Sequence, residues 1–108
     1  MAEKNVAEKI YEAVEAARKS GKIKKGSNEV TKAIERGVAK LVIVAKNTEP
    51  KEVVMHLPAL CKEKEIAFVE VPSKEELGAA AGLHVATSAI AIVEEGEAKG
   101  LIKELVKK

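Results

Sequence analysis

Apolar residues at Val6, Ile10, Val14 and Ala17 recur every three or four positions with Lys and Glu between them, which predicts an amphipathic helix over residues 4–19. Ser20-Gly21 ends it. Lys22-Ile23-Lys24-Lys25 alternates and predicts a short edge strand with its lysines in solvent. In the next segment Val30, Ala33 and Ile34 share one helical face, giving a second helix over 27–36 that Gly37 stops. Leu41 to Ala45 is apolar throughout, as in a strand buried on both faces. Pro50 suits the first turn of a third helix with Val53, Val54, Leu57, Leu60 and Cys61 inward and Pro58 as an internal kink. Ile66 to Val71 is another strand, closed by Pro72. Ser73, with Glu76 three residues on, has the form of a capping box opening a fourth helix with Leu77, Ala80 and Ala81 inward. Gly78 and Gly82 mark close packing and a turn. Leu83-His84-Val85 falls in a loop, Ala89 to Val93 forms the last strand, and a closing helix turns Leu101, Ile102, Leu105 and Val106 inward.

Helices thus alternate with strands along the whole chain. The expected fold is α/β, a three-layer α-β-α sandwich around a central four-stranded mixed sheet. Its 108 residues form a single domain, 1–108.

Composition narrows the function. No apolar run approaches the roughly 20 residues of a membrane span, and the charged start lacks a signal-peptide core, so a cytoplasmic protein with no membrane partner is expected. One cysteine excludes an internal disulfide framework and a Cys-rich zinc site. Tyr11 and Phe68 are the only aromatics, too few for a base-stacking platform. All seventeen acidic residues are Glu and Lys is abundant, as in thermophilic proteins. With no Asp and two histidines far apart, we expect no enzyme, no metal and no cofactor. His56 and Cys61 read as a helix anchor and a buried thiol, and the Glu pairs 75–76, 94–95 and 63 with 65 as solvated surface. The net charge of +2 is unevenly spread, since residues 22–40 hold six basic groups against two acidic ones. That concentration is an electrostatic footprint for a polyanion.

The footprint centres on Lys25-Gly26-Ser27-Asn28-Glu29-Val30-Thr31-Lys32. Gly26 frees the backbone, Ser27 or Asn28 can cap the first amides, and Glu29 favours the positive end of the helix dipole. Asn28, Glu29, Lys32 and Arg36 fall opposite the apolar face. Lysines and helix-start amides hold phosphates, whereas an amide and a carboxylate pair with base edges. A capped, solvated helix start also accounts for the pattern. The turn is no Walker loop, having a single glycine and no Gly-Lys-Ser/Thr.

Lys24 to Lys32, followed by Glu35-Arg36-Gly37, Glu49-Pro50, His56-Leu57-Pro58-Ala59-Leu60-Cys61 and Ser73-Lys74-Glu75-Glu76-Leu77-Gly78, resembles the archaeal L-seven-Ae family of kink-turn-binding ribosomal proteins over residues 6–106. The resemblance implies that Asn28, Glu29 and Lys32 read sheared G·A pairs. It gives Lys25, Gly26 and Arg36, beside Ser27, to the phosphates, and Glu49, Val53 and Lys74 to the pocket of a flipped-out nucleotide. Leu83, His84 and Val85 would cover bulged nucleotides. The implied partners are kink-turns of ribosomal RNA, box C/D and H/ACA guide RNA and ribonuclease P RNA, with the core proteins of guide-RNA particles; the implied place is the ribosome, and the free protein is expected to be a monomer. Three features depart from the family pattern. Lys46-Asn47-Thr48 stands where the loop is usually acidic, His84 replaces an acidic residue, and an N-terminal arm and some C-terminal length are missing. A protein-interaction adaptor on the same fold is the alternative reading.

Overall fold

The computed structural model describes residues 2–46 and 55–106, with the side chains of 8–46 and 55–103. Within them the chain runs α1 (Ala2–Ser20), β1 (Lys22–Lys25), α2 (Ser27–Glu35), β2 (Leu41–Ala45), α3 (His56–Glu63), β3 (Ala67–Val71), α4 (Lys74–Ala80), β4 (Ala89–Glu94), a 3-10 turn (Gly96–Ala98) and α5 (Lys99–Val106). Expectations for residues 47–54, and for the side chains of Val6, Leu105 and Val106, lie outside the described residues.

The strands lie in the order β1-β4-β2-β3. The last strand in sequence therefore inserts between the first two. It runs antiparallel to both, pairing Lys25 with Ile90 and Val44 with Ala89, while β2 and β3 are parallel from Leu41 opposite Ala67 to Ala45 opposite Val71. The sheet is mixed, as expected. Successive side chains on a strand point to opposite faces. Leu41, Ile43, Ala45, Ile90 and Ile92 accordingly pack with Ile10, Val14 and Ala17 of α1, Leu77 of α4 and Ile102 of α5. Val42, Val44, Ala89 and Ala91 meet Val30 and Ile34 of α2 and Leu57 and Cys61 of α3 on the other face. Burial on both faces is what made β2 read as an unbroken apolar run. The edge strand β1 keeps Lys22, Lys24 and Lys25 exposed with Ile23 half-buried.

Pro58 is the third residue of α3, in its first described turn, and the approach on which its expected kink would fall lies outside the described residues. At α4 the Ser73 hydroxyl accepts from the Glu76 N–H at 3.1 Å, the expected N-cap bond, and donates to the Glu75 carboxylate at 3.2 Å.

Gly78 and Gly82 behave as their positions predict. A Cβ on Gly78 would stand 2.2 Å from the Val85 carbonyl oxygen, so only glycine lets the 83–88 loop lie on α4. Gly82 turns the chain at φ +79°. We expect Gly78→Ala to cost about 1–3 kcal/mol through this overlap, read as a fall in Tm. Gly100→Ala, with nothing within 4 Å of its added methyl, should be neutral or stabilising by up to about 1 kcal/mol.

Burial pushes the Cys61 thiol up to about 11, and burial foremost also raises Tyr11, whose hydroxyl donates to the Ser73 carbonyl at 3.4 Å. Both acids hold their protons more tightly when folded. Their contribution is complete below the unfolded values, near 9 and 10, and is lost as pH rises through the folded ones. Thiol alkylation at pH 8 should be much slower in the native chain than in urea, and urea midpoints should fall between about pH 9 and pH 11.

Candidate nucleic-acid interface

The candidate residues converge on one end of the sheet because of how three segments are tied there. At Gly26 the chain leaves β1 with φ +91° and ψ 151°, a conformation that L side chains rarely adopt, though a Cβ added there would meet open space. Glycine is needed here for the backbone rather than for room. Its N–H donates to the Ala89 carbonyl at 2.9 Å, and its own carbonyl accepts from the Val30 N–H at 2.9 Å, the first bond of α2. The Thr87 hydroxyl, buried, donates to the same Ala89 carbonyl at 3.2 Å. One oxygen thus joins the start of α2 to the end of the 83–88 loop. That loop is held further by Thr87 N–H to the Lys74 carbonyl at 3.1 Å and by Ala45 N–H to the Ser88 carbonyl at 2.9 Å.

The helix start differs from the expected cap. Gly26 occupies the N-cap, Ser27 and Asn28 lie inside the first turn, and no side chain caps the helix. The first amides of α2 are therefore left facing outward at the positive end of the dipole. Asn28, Glu29 and Lys32 are exposed on the face opposite buried Val30, Ala33 and Ile34, and Asn28 and Lys32 stand one turn apart. Among the described residues no ion pair joins Glu29 to its lysine neighbours. Arg36 is exposed on the far end of α2, eight residues or about 12 Å beyond Asn28, so the structure does not bring it to the rim.

The other candidates surround this turn. Lys25 ends β1, Lys46 follows β2, and Lys74 opens α4 after β3, all at the same end of the sheet. Leu83 is half-buried against the α1 side of the core, while His84 and Val85 are exposed, Val85 at 70%. Glu49 and Val53 lie outside the described residues.

One supporting pair was hidden in the sequence. The Thr31 hydroxyl donates to the Ser27 carbonyl at 2.7 Å, which leaves its oxygen to accept from Nε2–H of His56 at 2.8 Å. His56 is exposed, and it anchors α3 to Thr31, the fifth residue of α2. Only the separation of 25 residues concealed it. Cys61, five residues on, is buried, so the two form no pair.

The surface that results holds ammonium, carboxylate and amide groups beside outward-facing backbone N–H groups, with aliphatic Val85 on its rim. It offers donors and acceptors together. Among the described residues no group of three metal-ligating side chains occurs, and no helix is long and apolar enough to cross a membrane.

The fold and the sequence match proteins already known. The Giardia lamblia 15.5kD RNA binding protein superposes with a TM-score of 0.86 at 33% identity, covering 94% of this chain and 85% of that one. A family model, described as the ribosomal protein L7Ae/L30e/S12e/Gadd45 family, matches residues 8–102. With nearly the whole sandwich inside that match, the α2 turn included, the chain belongs to the ribosomal protein L7Ae/L30e/S12e/Gadd45 family.

Proposed function

We propose that this protein is a non-enzymatic RNA-binding component of ribonucleoprotein particles, and that it captures kink-turns by reading their sheared G·A pairs. The observation that carries this reading is Glu29, an exposed carboxylate on the uncapped first turn of α2, flanked by Lys25 and Lys32. A phosphodiester would be repelled by it. Nucleobase amino and imino groups would not, so the turn fits a site where bases are opened toward the protein. Regular A-form RNA hides its base edges in a deep, narrow groove, and a bulged, kinked loop exposes them.

In this reading Asn28, Glu29 and Lys32 meet the G·A pairs, while Lys25, Gly26 and the α2 amides hold phosphates, with Ser27 in the same turn. Lys74, with Glu49 and Val53, borders the flipped-out nucleotide, and Leu83, His84 and Val85 lie over the bulge. Lys46 adds positive charge beside it. Arg36 reaches only RNA that continues along α2. Ribosomal RNA, box C/D and H/ACA guide RNA and ribonuclease P RNA are the candidate partners, and binding favours the bent form because that form alone presents the opened bases.

Glu29→Ala should weaken binding to a kink-turn oligonucleotide by about 1–3 kcal/mol while leaving plain duplex binding nearly unchanged. Lys25→Ala should weaken both and reduce the slope of log K against log salt by about one. Gel shifts with and without tandem G·A pairs measure both. Equal losses on the two RNAs for Glu29→Ala would count against base reading.

A further inference from the structure

The end of the sheet remote from the interface carries an open groove of about 370 Å³. Buried Ile102 and half-buried Ala67 line its apolar part, and Lys40, Lys99, Lys103, Glu65 and Glu95 supply its charges. Lys99 and Lys103 are one turn apart on α5 and so share a face. Among the described residues none of these five charged groups makes an ion pair. Three basic and two acidic residues therefore border one concavity without an ion pair among the described residues.

A second observation comes from the backbone. Four glycines, Gly26, Gly37, Gly82 and Gly96, have positive φ, and among the described non-glycine residues only Glu65 does, at +59°. Glu65 directly follows the last turn of α3, where the Glu65 N–H reaches the Lys62 carbonyl and the Ile66 N–H the Cys61 carbonyl. Glycine fills that position at lower cost. A glutamate there holds its carboxylate at the groove against a conformational penalty, and such outliers gather at binding sites.

We propose that this groove binds a nucleotide of single-stranded RNA, a second RNA contact at the opposite end of the molecule from the α2 turn. The phosphate lies among Lys40, Lys99 and Lys103, one face of the base rests on half-buried Ala67 and the aliphatic stems of the lysines, and Glu65 and Glu95 accept from ribose hydroxyls or base amino groups. A bare anion meets the lysines but is repelled by the carboxylates. An acidic peptide would set more carboxylates against them. A nucleotide carries the anion, the hydroxyl donors and the flat apolar face together, and the groove is of small-ligand size. With five-residue strands between the two ends, the sites stand about 15 Å or more apart, so they take different segments of an RNA.

The test uses the full chain and amide chemical shifts, titrated with adenosine monophosphate, a tri-adenosine oligonucleotide, inorganic phosphate and an oligoglutamate peptide. Saturable shifts at residues 40, 65–67, 95 and 99–103 with both nucleotide probes, at least about tenfold tighter than with phosphate, are expected. Glu29→Ala should leave these shifts intact, which separates the groove from the α2 site. Lys99→Ala with Lys103→Ala should weaken binding about tenfold. Glu65→Gly should weaken it too while raising Tm, whereas a purely conformational residue would move Tm alone. Shifts confined to the α2 turn, equal binding of phosphate, preference for the peptide, or unchanged affinity in Glu65→Gly would each overturn the proposal.

Discussion

The carbonyl oxygen of Ala89 holds the candidate surface together. It accepts from the Gly26 N–H and from the Thr87 hydroxyl, so the start of α2 and the end of the 83–88 loop meet at one atom on the first residue of β4. Neither bond is remarkable in strength, since a net hydrogen bond contributes about 1 kcal/mol. Their importance is geometric. They place segments sixty residues apart in the chain side by side, and the shared atom sits on β4, one of the two strands paired on both sides.

Burial explains how much of this was legible beforehand. A helix with one buried face repeats near every 3.6 residues, as α1 does through Ile10, Val14 and Ala17, and a strand covered on both faces is apolar throughout, as β2 is. Ser73 and Gly78 were legible because capping and close approach each demand particular residue types. Asn28, Glu29 and Lys32 were legible as an exposed set because the opposite face of α2 is apolar. What failed depended on distant partners. Ser27 has the chemistry of a cap, but the bond from Gly26 to Ala89 fixes the backbone one residue earlier and carries Ser27 into the helix. Strand order was open for the same reason, since no local pattern states that β4 inserts between β1 and β2. The Thr31 to His56 bond joins residues 25 apart and left no periodic trace.

Charge is arranged to complement this geometry. Of the six basic residues in 22–40, Lys24, Lys25 and Lys32 stand at or near the helix start that no side chain caps, while Arg36 ends α2 and Lys40 lies at the opposite end of the sheet. Edge lysines deter pairing with another chain, and near a helix start they also attract anions. Glu29, joined by no ion pair among the described residues, is then the informative exception, a negative group among lysines.

The sheet order also governs when the surface can exist during synthesis. The parallel pair β2 and β3 is complete once Val71 has left the ribosome, whereas β1 has no strand to lie against until Ala89–Glu94 follows. Loop closure over so long a separation comes late in folding. A nascent chain therefore carries its N-terminal third, nine basic residues against six acidic in residues 1–36, before the final strand can fix the β1 edge and the turn into α2.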